Sequence, residues 1–309
     1  MPAVSVLMTS YNHEAYLVES IESVLNQSFD DIELIIIDDG SKDGSVKIIE
    51  QYAGRNPKIK AIYHSRNMGI AKTLNEALEE AEGEYIAIAS SDDLWVSNKL
   101  ARQMEVLSRN NDLIVWSNAY IIDEKGNDTG LLWSRRYKIS QKKKNGAILF
   151  ELLWGNFICP QSLILKKEIA ESIRFDPAIN YAVDYRFLIS VSKKHDFFYI
   201  EEPLVKYRVH GDNTIQRNSE LWRKDMFRIF RDEVRGGREC LPGKLSARLM
   251  SRIGRYHLSR RRYRLARYYL QQAVKQDFSN VSYLRNLLRS CIKTGSVRSR
   301  RERNFLNRA

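Results

Sequence analysis

The chain has 309 residues with an ordinary hydrophobic fraction of 43%, enough for one large domain or a domain with an appendage. No apolar run approaches the roughly 18–20 residues of a membrane-spanning helix, no basic-then-apolar leader is expected at the start, and Cys159, Cys240 and Cys291 have neither disulfide nor zinc-ligand spacing. The net charge of +12 is uneven: residues 220–309 hold 24 Lys+Arg against 7 Asp+Glu, net +17, while residues 1–219 are net −5.

Val4–Thr9 reads as a first strand that closes in the polar stretch Ser10-Tyr11-Asn12-His13. Leu17, Ile21, Val24 and Leu25 then fall at helical spacing within Glu14–Gln27. Ile32–Ile37 is nearly all apolar, as expected of a strand buried on both faces of a parallel sheet. It stops in the turn-rich Asp38-Asp39-Gly40-Ser41, and a helix follows through Ile48, Ile49 and Tyr52. Ile59–His64 is a third strand, followed by the loop Ser65–Gly69 and a helix with Leu74, Ala77, Leu78 and Ala81 on one face, ended by Gly83. Tyr85–Ala89 is the next strand and stops in Ser90-Ser91-Asp92-Asp93; a helix around Leu100, Met104 and Leu107 and a strand at Leu113–Trp116 follow.

This alternation predicts a mixed, mainly parallel α/β sheet of Rossmann-like type with helices on both faces. Three strands end in polar or acidic loops, Thr9–Asn12, Asp38–Asp39 and Ser90–Asp93. In open α/β sheets ligands bind beyond the carboxyl ends of the strands, so these loops should line one cleft. The first loop is not a glycine-rich phosphate loop, which argues against a dinucleotide-dependent oxidoreductase.

Beyond about residue 117 the pattern loosens. Tyr120–Asn127 reads as a strand entering a turn, Lys142–Gly146 as an exposed basic loop and Gln161–Leu165 as a strand. Tyr185–Val191 is a helix opened by Asp184; Phe197–Ile200 is a strand; Pro203–Val209 is extended and breaks at His210-Gly211-Asp212-Asn213. No linker separates the halves, so residues 1–219 read as one domain, with a first half to about 117 and a second, acceptor-side half over 118–219. Residues 220–309 read as a basic helical extension. Leu265, Ala266, Tyr269, Leu270 and Ala273, then Asp277–Asn280, then Leu284, Leu287 and Leu288 make one tetratricopeptide-like hairpin, short of the roughly three repeats a free solenoid needs. Arg298–Ala309 is expected to be disordered. The extension's charge suits an anionic lipid surface or nucleic acid; the acidic cleft and the lack of a binding module argue against a specific nucleic-acid partner.

Adjacent Asp92 and Asp93 cannot both be ionised cheaply without a compensating cation or a donor-rich ligand. A hard divalent ion shared by one carboxylate and diphosphate oxygens would supply it. The bland reading of the same residues is capping of the helix that follows. Asp184, opening a helix, has the same bland reading as an N-cap. A metal-dependent nucleotidyltransferase or phosphohydrolase is the nearest rival enzyme class.

Several segments, in order, resemble the family-two glycosyltransferases of GT-A fold over residues 4–213. They are Val4–Asn12, Glu33–Ser41, Asn67–Ala71, Gly83–Ala87 running into Ser91-Asp92-Asp93, Asp184-Tyr185-Arg186 and Tyr207-Arg208-Val209-His210. The resemblance implies inverting transfer of a sugar, a hexose from a UDP-sugar, to a glycan or lipid-linked acceptor in cell-surface polysaccharide synthesis. It implies that Thr9, Tyr11 and Asp39 line the nucleoside pocket and that Asp92 sits near the ribose. Asp93, with His210 as a second ligand, would hold Mn2+ or Mg2+, and Asp184 would be the base that deprotonates the acceptor. Many relatives carry an acid where this chain has Ser90, and a Glu where it has Val183. His13, His64, His195 and His257 are read as structural or surface residues, and Trp95, Trp116 and Trp154 as core, with Trp154 beside Gly155-Asn156 at the acceptor's border. The expected location is cytoplasmic, peripheral at the inner face of the membrane.

Overall fold

The computed structural model describes residues 1–211, 219–236 and 241–292. The expected break at Asp212-Asn213, Cys240 and the disordered end over Arg298–Ala309 lie outside them. The chain divides into two compact units, Met1–Asn218 and Ser219–Ala309.

Among the described residues the first unit is built on one sheet of nine strands in the order β3-β2-β1-β4-β8-β6-β9-β5, with β7 paired to β6. Its first half alternates strictly: β1 (Val4–Ser10), α1 (Glu14–Leu25), β2 (Ile32–Asp38), α2 (Ser45–Ala53), β3 (Ile59–Tyr63), α3 (Ile70–Glu79) and β4 (Tyr85–Ser90). β3, β2, β1 and β4 are mutually parallel. Leu34, Ile35, Ile36 and Ile37 have no exposed surface, which is why β2 needs apolar residues on both faces. Each such side chain contributes roughly 1.5–3 kcal/mol by burial.

The second half returns antiparallel through β8 (Ile164–Lys166) onto β4 and β6 (Ile114–Ile122), and β9 (Phe197–Arg208) runs parallel to β6. Between them lie β5 (Leu94–Trp95), α4 (Lys99–Leu107), β7 (Asp128–Leu132), α5 (Trp133–Arg136), α6 (Leu149–Trp154), α7 (Lys167–Ile173) and α8 (Val183–Val191).

Several boundaries differ from the expected ones. The expected strands at Leu113–Trp116 and from Tyr120 are parts of one strand, β6, which begins at Ile114; Ser117 and Asn118, polar and buried, help join them. Likewise Phe197–Ile200 and Pro203–Arg208 form one strand, β9. Its pairing to β6 shifts register beside Pro203, where a residue with no N–H is tolerated. Two-residue β5 follows Asp93 directly and pairs with β9, so the Asp92-Asp93 stretch leads into a strand and not straight into a helix. Gln161 and Ser162 belong to a 3-10 turn before β8. Gly83 does not cap α3, which ends at Glu79 with Glu80 in helical conformation. A Cβ on Gly83 would lie 2.6 Å from the Ser5 amide nitrogen, so glycine is needed there for close strand approach. α8 starts at Val183 with Ala182 as N-cap; Asp184 therefore lies in the first turn and does not cap it.

The second unit holds the helices Ser219–Gly236, Gly243–Ser259 and Tyr263–Gln276, and is helical again over 281–292. A Cβ on Gly254 would meet the Leu270 side chain at 2.7 Å, so glycine lets the second and third helices close on each other. Phe227 stacks on Tyr256 with ring centroids 4.2 Å apart. Among the described residues no helix is long and apolar enough to cross a membrane.

Candidate functional site

The register of the parallel strands sets the site. Ser10 pairs with Asp38 and Thr9 with Ser90, so β1, β2 and β4 end level and release three polar loops along one edge. The β2 loop is held by its own first acid: Asp38 accepts from the Ser41 amide at 2.8 Å and the Ser41 hydroxyl at 2.6 Å. Gly40 has φ +79°, and a Cβ there would stand 2.7 Å from the Arg66 carbonyl carbon; both facts require glycine. Asn12, at φ 54°, ties the β1 loop across: its amide donates to Ser41 Oγ and its Oδ1 accepts from the Lys42 amide, both at 2.8 Å.

Asp39 points the other way, into the loop after β3. Its Oδ1 accepts from the Met68 amide at 2.7 Å and faces His64 Nδ1 at 2.8 Å, and its Oδ2 accepts from the Gly69 amide at 2.9 Å. The other His64 nitrogen lies 2.8 Å from Glu76 Oε2 on α3. Both ring nitrogens face carboxylates, which only accept, so the imidazolium is the form that satisfies them. Burial opposes that charge, but the hydrogen bonds and charges of Asp39 and Glu76 outweigh it and raise the His64 pKa. Asp39 is 4% exposed, and one lone pair of Oδ2 is left over from its three donors. Tyr11 is 43% exposed and Thr9 half-buried at the same edge.

The Asp92-Asp93 pair is split by its partners. Asp93 turns inward and accepts the Arg208 amide on β9 at 2.8 Å. Burial, then the neighbouring Asp92 charge, push its pKa well above the usual carboxylate range, despite the Arg208 amide and guanidinium. Asp92 Oδ2 instead lies 3.0 Å from His210 Nε2. Burial works against its ionisation too, but the His210 hydrogen bond and the charges of His13 and His210 bring its pKa below the ordinary value. His13 completes the group, its Nδ1 2.7 Å from Ser91 Oγ. One ligand atom each from His13, Asp92 and His210 lie within 4.8 Å of one another.

Arg208, 1% exposed, fastens this corner. Its Nε donates to the Asp92 carbonyl at 2.8 Å, one terminal nitrogen to the Glu124 carbonyl at 3.0 Å and the other to Glu19 Oε2 at 2.6 Å. The guanidinium also sits 5.0 Å from the Tyr16 ring centroid, and that ring is 4.7 Å from His210. α1, the β6–β7 turn, β9 and the Asp92-Asp93 stretch are thereby locked together.

Asp184 is held separately, half-buried in the first turn of α8. Asn156 Nδ2 donates to its Oδ2 at 3.3 Å. Burial raises its pKa, and the Tyr185 and Asp184 amides with Asn156 offset part of that rise. The aromatic group Trp133, Tyr137 and Tyr207 links the two acidic centres: Tyr137 feels the Asp184 charge, Tyr207 those of Asp92 and Asp93. Ser90 accepts from Gln161 at 3.0 Å, a neutral pairing where the resembled family often has an acid.

The structure thus gathers Thr9, Tyr11 and Asp39 at the β1–β2 edge, and Asp92 with His210 at the end of β4. The two acids have different partners. Asp93 gives one lone pair of Oδ1 to a backbone N–H of β9, and Asp92 is the acid that lies beside His210. Sequence reasoning also set aside His13 and His64 and gave Arg208 no role. The first two show no periodic signal, and the only trace of the third was its place in Tyr207–His210.

The donor set fits a divalent cation, with one carboxylate and two imidazoles converging at buried or half-buried positions. Mg2+ prefers all-oxygen shells, so of the two expected ions the imidazoles favour Mn2+.

Residues 5–173 match the family model described as Glycosyl transferase family 2. An uncharacterized glycosyltransferase of Methanocaldococcus jannaschii is 34% identical over 221 residues, covering 70% of this chain and 74% of that protein. Among solved structures, TarS 1-349 of S. aureus in complex with UDP-GlcNAc is similar in fold, with TM-score 0.67 and 16% identity over 97% of this chain and 92% of that one. So is the mannosyltransferase PcManGT of Pyrobaculum calidifontis in complex with GDP-Man and Mn2+, with TM-score 0.61 and 16% identity over 89% and 74%.

Proposed function

The chain belongs to glycosyl transferase family 2, and from that premise we propose that it transfers a hexose, with inversion, from a UDP-sugar to a hydroxyl of a glycan or lipid-linked acceptor. The observation that carries the proposal is the cluster of Asp92, His210 and His13 at the end of β4, beside the Asp39 edge. Complexes of similar folds with UDP-GlcNAc and with GDP-Man and Mn2+ support a nucleotide-sugar donor.

In this reading the exposed Tyr11 ring packs on the nucleobase, worth about 1–3 kcal/mol by analogy with base–aromatic stacking elsewhere. The open lone pair of Asp39 Oδ2 accepts a base N–H, with Thr9 beside it. Asp92, His210 and His13 hold Mn2+, or less favourably Mg2+, which when bound neutralises charge on the departing diphosphate. Asp93 acts through the backbone it fixes, not as a ligand. Asp184 takes the proton of the acceptor hydroxyl as that oxygen attacks the anomeric carbon from the face opposite the nucleotide. Its raised pKa suits a base that must pick up a proton, and Asn156 aims it. The transferase domain, expected over residues 1–219, is the first unit, Met1–Asn218, in this proposal. The basic extension from residue 220 docks it at the inner face of the cytoplasmic membrane, where a precursor of a cell-surface polysaccharide would be presented.

A thermal-shift panel of UDP-, GDP- and dTDP-sugars with and without Mn2+ tests the donor site. The expected result is stabilisation that needs one nucleotide sugar together with the ion. Asp184→Asn should keep that shift and lose transfer by about 10²–10⁴-fold. Release of pyrophosphate or phosphate in place of a nucleoside diphosphate would favour phosphoryl transfer and sink the proposal.

A further inference from the structure

The last described segment of the second unit is helical and has two unlike faces. Over 281–292, Tyr283, Asn286 and Ser290 are buried and anchor the segment. Val281 is 64%, Leu288 63% and Ile292 71% exposed, with Leu284 at 39% and, in the preceding turn, Phe278 at 78%. At 100° per residue, positions 281, 284, 288 and 292 fall within about 80° of the helix circumference. Single exposed apolar residues are ordinary, but a continuous row of them is a contact surface waiting for an occupant. Arg285 and Arg289 are exposed along one side of the row. Residues 260–292 carry eight Arg or Lys against one acid, Asp277.

We propose that the row Phe278, Val281, Leu284, Leu288 and Ile292, with Arg285 and Arg289 beside it, docks in the headgroup region of an anionic lipid bilayer. Charge decides the occupant. A second copy of the chain would bring two such strongly basic units face to face, which like-charge repulsion opposes. An RNA or DNA backbone would be met by the arginines but would leave the aliphatic row uncovered. An anionic bilayer satisfies both halves at once, phosphates opposite the guanidinium groups and acyl chains opposite the row. This deepens the proposed function by naming the face that carries the membrane contact. It is read without donor or acceptor, so its failure leaves the transfer chemistry standing, and the reverse.

The test is flotation of the full chain with vesicles of pure phosphatidylcholine and with vesicles containing phosphatidylglycerol, in low and in physiological salt. Binding to the anionic vesicles alone is expected. The double variant Leu288→Glu, Ile292→Glu should raise the half-saturating lipid concentration about tenfold or more. Arg285→Gln with Arg289→Gln should weaken binding less and flatten its salt dependence. An unchanged far-UV circular dichroism spectrum and melting temperature of the ligand-free chain certify that each variant is folded. The proposal is overturned if the native chain stays with the soluble fraction. It is equally overturned if the Glu variant floats as well as the native chain, since charge alone then suffices, or if light scattering shows a dimer that the Glu variant dissociates.

Discussion

Two pairs of neighbouring aspartates end two strands of the same sheet, and they are built differently. Asp38 and Asp39 are both satisfied by their own surroundings: a serine in the turn for the first, two backbone amides and a histidine for the second. Asp92 and Asp93 are satisfied from a distance, by His210 and by the amide of Arg208, both supplied by the last strand of the unit and the turn after it. The first pair holds two loops, Asp38 its own turn and Asp39 the loop after β3, whereas in the second pair only Asp93 takes a backbone amide. Adjacency in sequence therefore says that a polar corner exists, but not which acid faces it. That depends on which way the next two residues leave the strand.

The largest expected effect separates Asp92 from Asp93. Asp92→Asn should lower transfer by about 10³-fold, since the ion's charge stabilisation in the transition state goes with it. It should also abolish the Mn2+-dependent thermal shift. Asp93→Asn keeps an oxygen for the Arg208 amide, so the ion-dependent shift should persist, with a stability loss of about 1–3 kcal/mol measured by denaturant titration. The reverse outcome in folded protein would restore Asp93 as the ligand.

Arg208→Lys comes next. Lysine keeps the charge but cannot donate to the Asp92 and Glu124 carbonyls and to Glu19 together. Loss of a partner that orients a ligand typically costs 10–100-fold, so kcat/KM should fall by about that factor while the sugar specificity stays unchanged.

The corresponding change on the β2 side is smaller. His64→Gln removes the cation that braces Asp39, and it should raise the donor KM about threefold to tenfold with kcat nearly intact. Its pH signature has a definite sign. The folded His64 pKa lies above its unfolded value. The stability it contributes is therefore full below about pH 6.5 and is lost as pH rises through the folded pKa. Native protein should become less stable over that range in thermal melts, and the Gln variant should lack this component. A flat native profile would remove His64 from the base pocket's support.

Much of this was legible in the sequence. The buried runs of β1, β2 and β4 and the polar residues that close them fixed the parallel half and its working edge, because period and punctuation are local properties. The second half was harder. β6 and β9 each read as two strands because Ser117-Asn118 and Pro203 interrupt the apolar pattern, and their pairing with each other tolerates the interruption. The roles inside the site needed coordinates for the same reason. Asp93 and the β9 amide that occupies it are 115 positions apart, and His13 meets His210 only through the fold.

Arg208 has a consequence for how the protein is made. Its guanidinium and amide close on residues of α1, of the β6–β7 turn and of the Asp92-Asp93 stretch, up to 189 positions earlier in the chain. Contacts so remote in sequence form late, and domains are completed as synthesis delivers their last elements. A nascent chain that already contains every acid through Asp184 would still have Asp93 unpaired and Asp92 without His210. The corner at the end of β4 is therefore finished late, and the site proposed there is complete only once the strand that locks it has emerged from the ribosome.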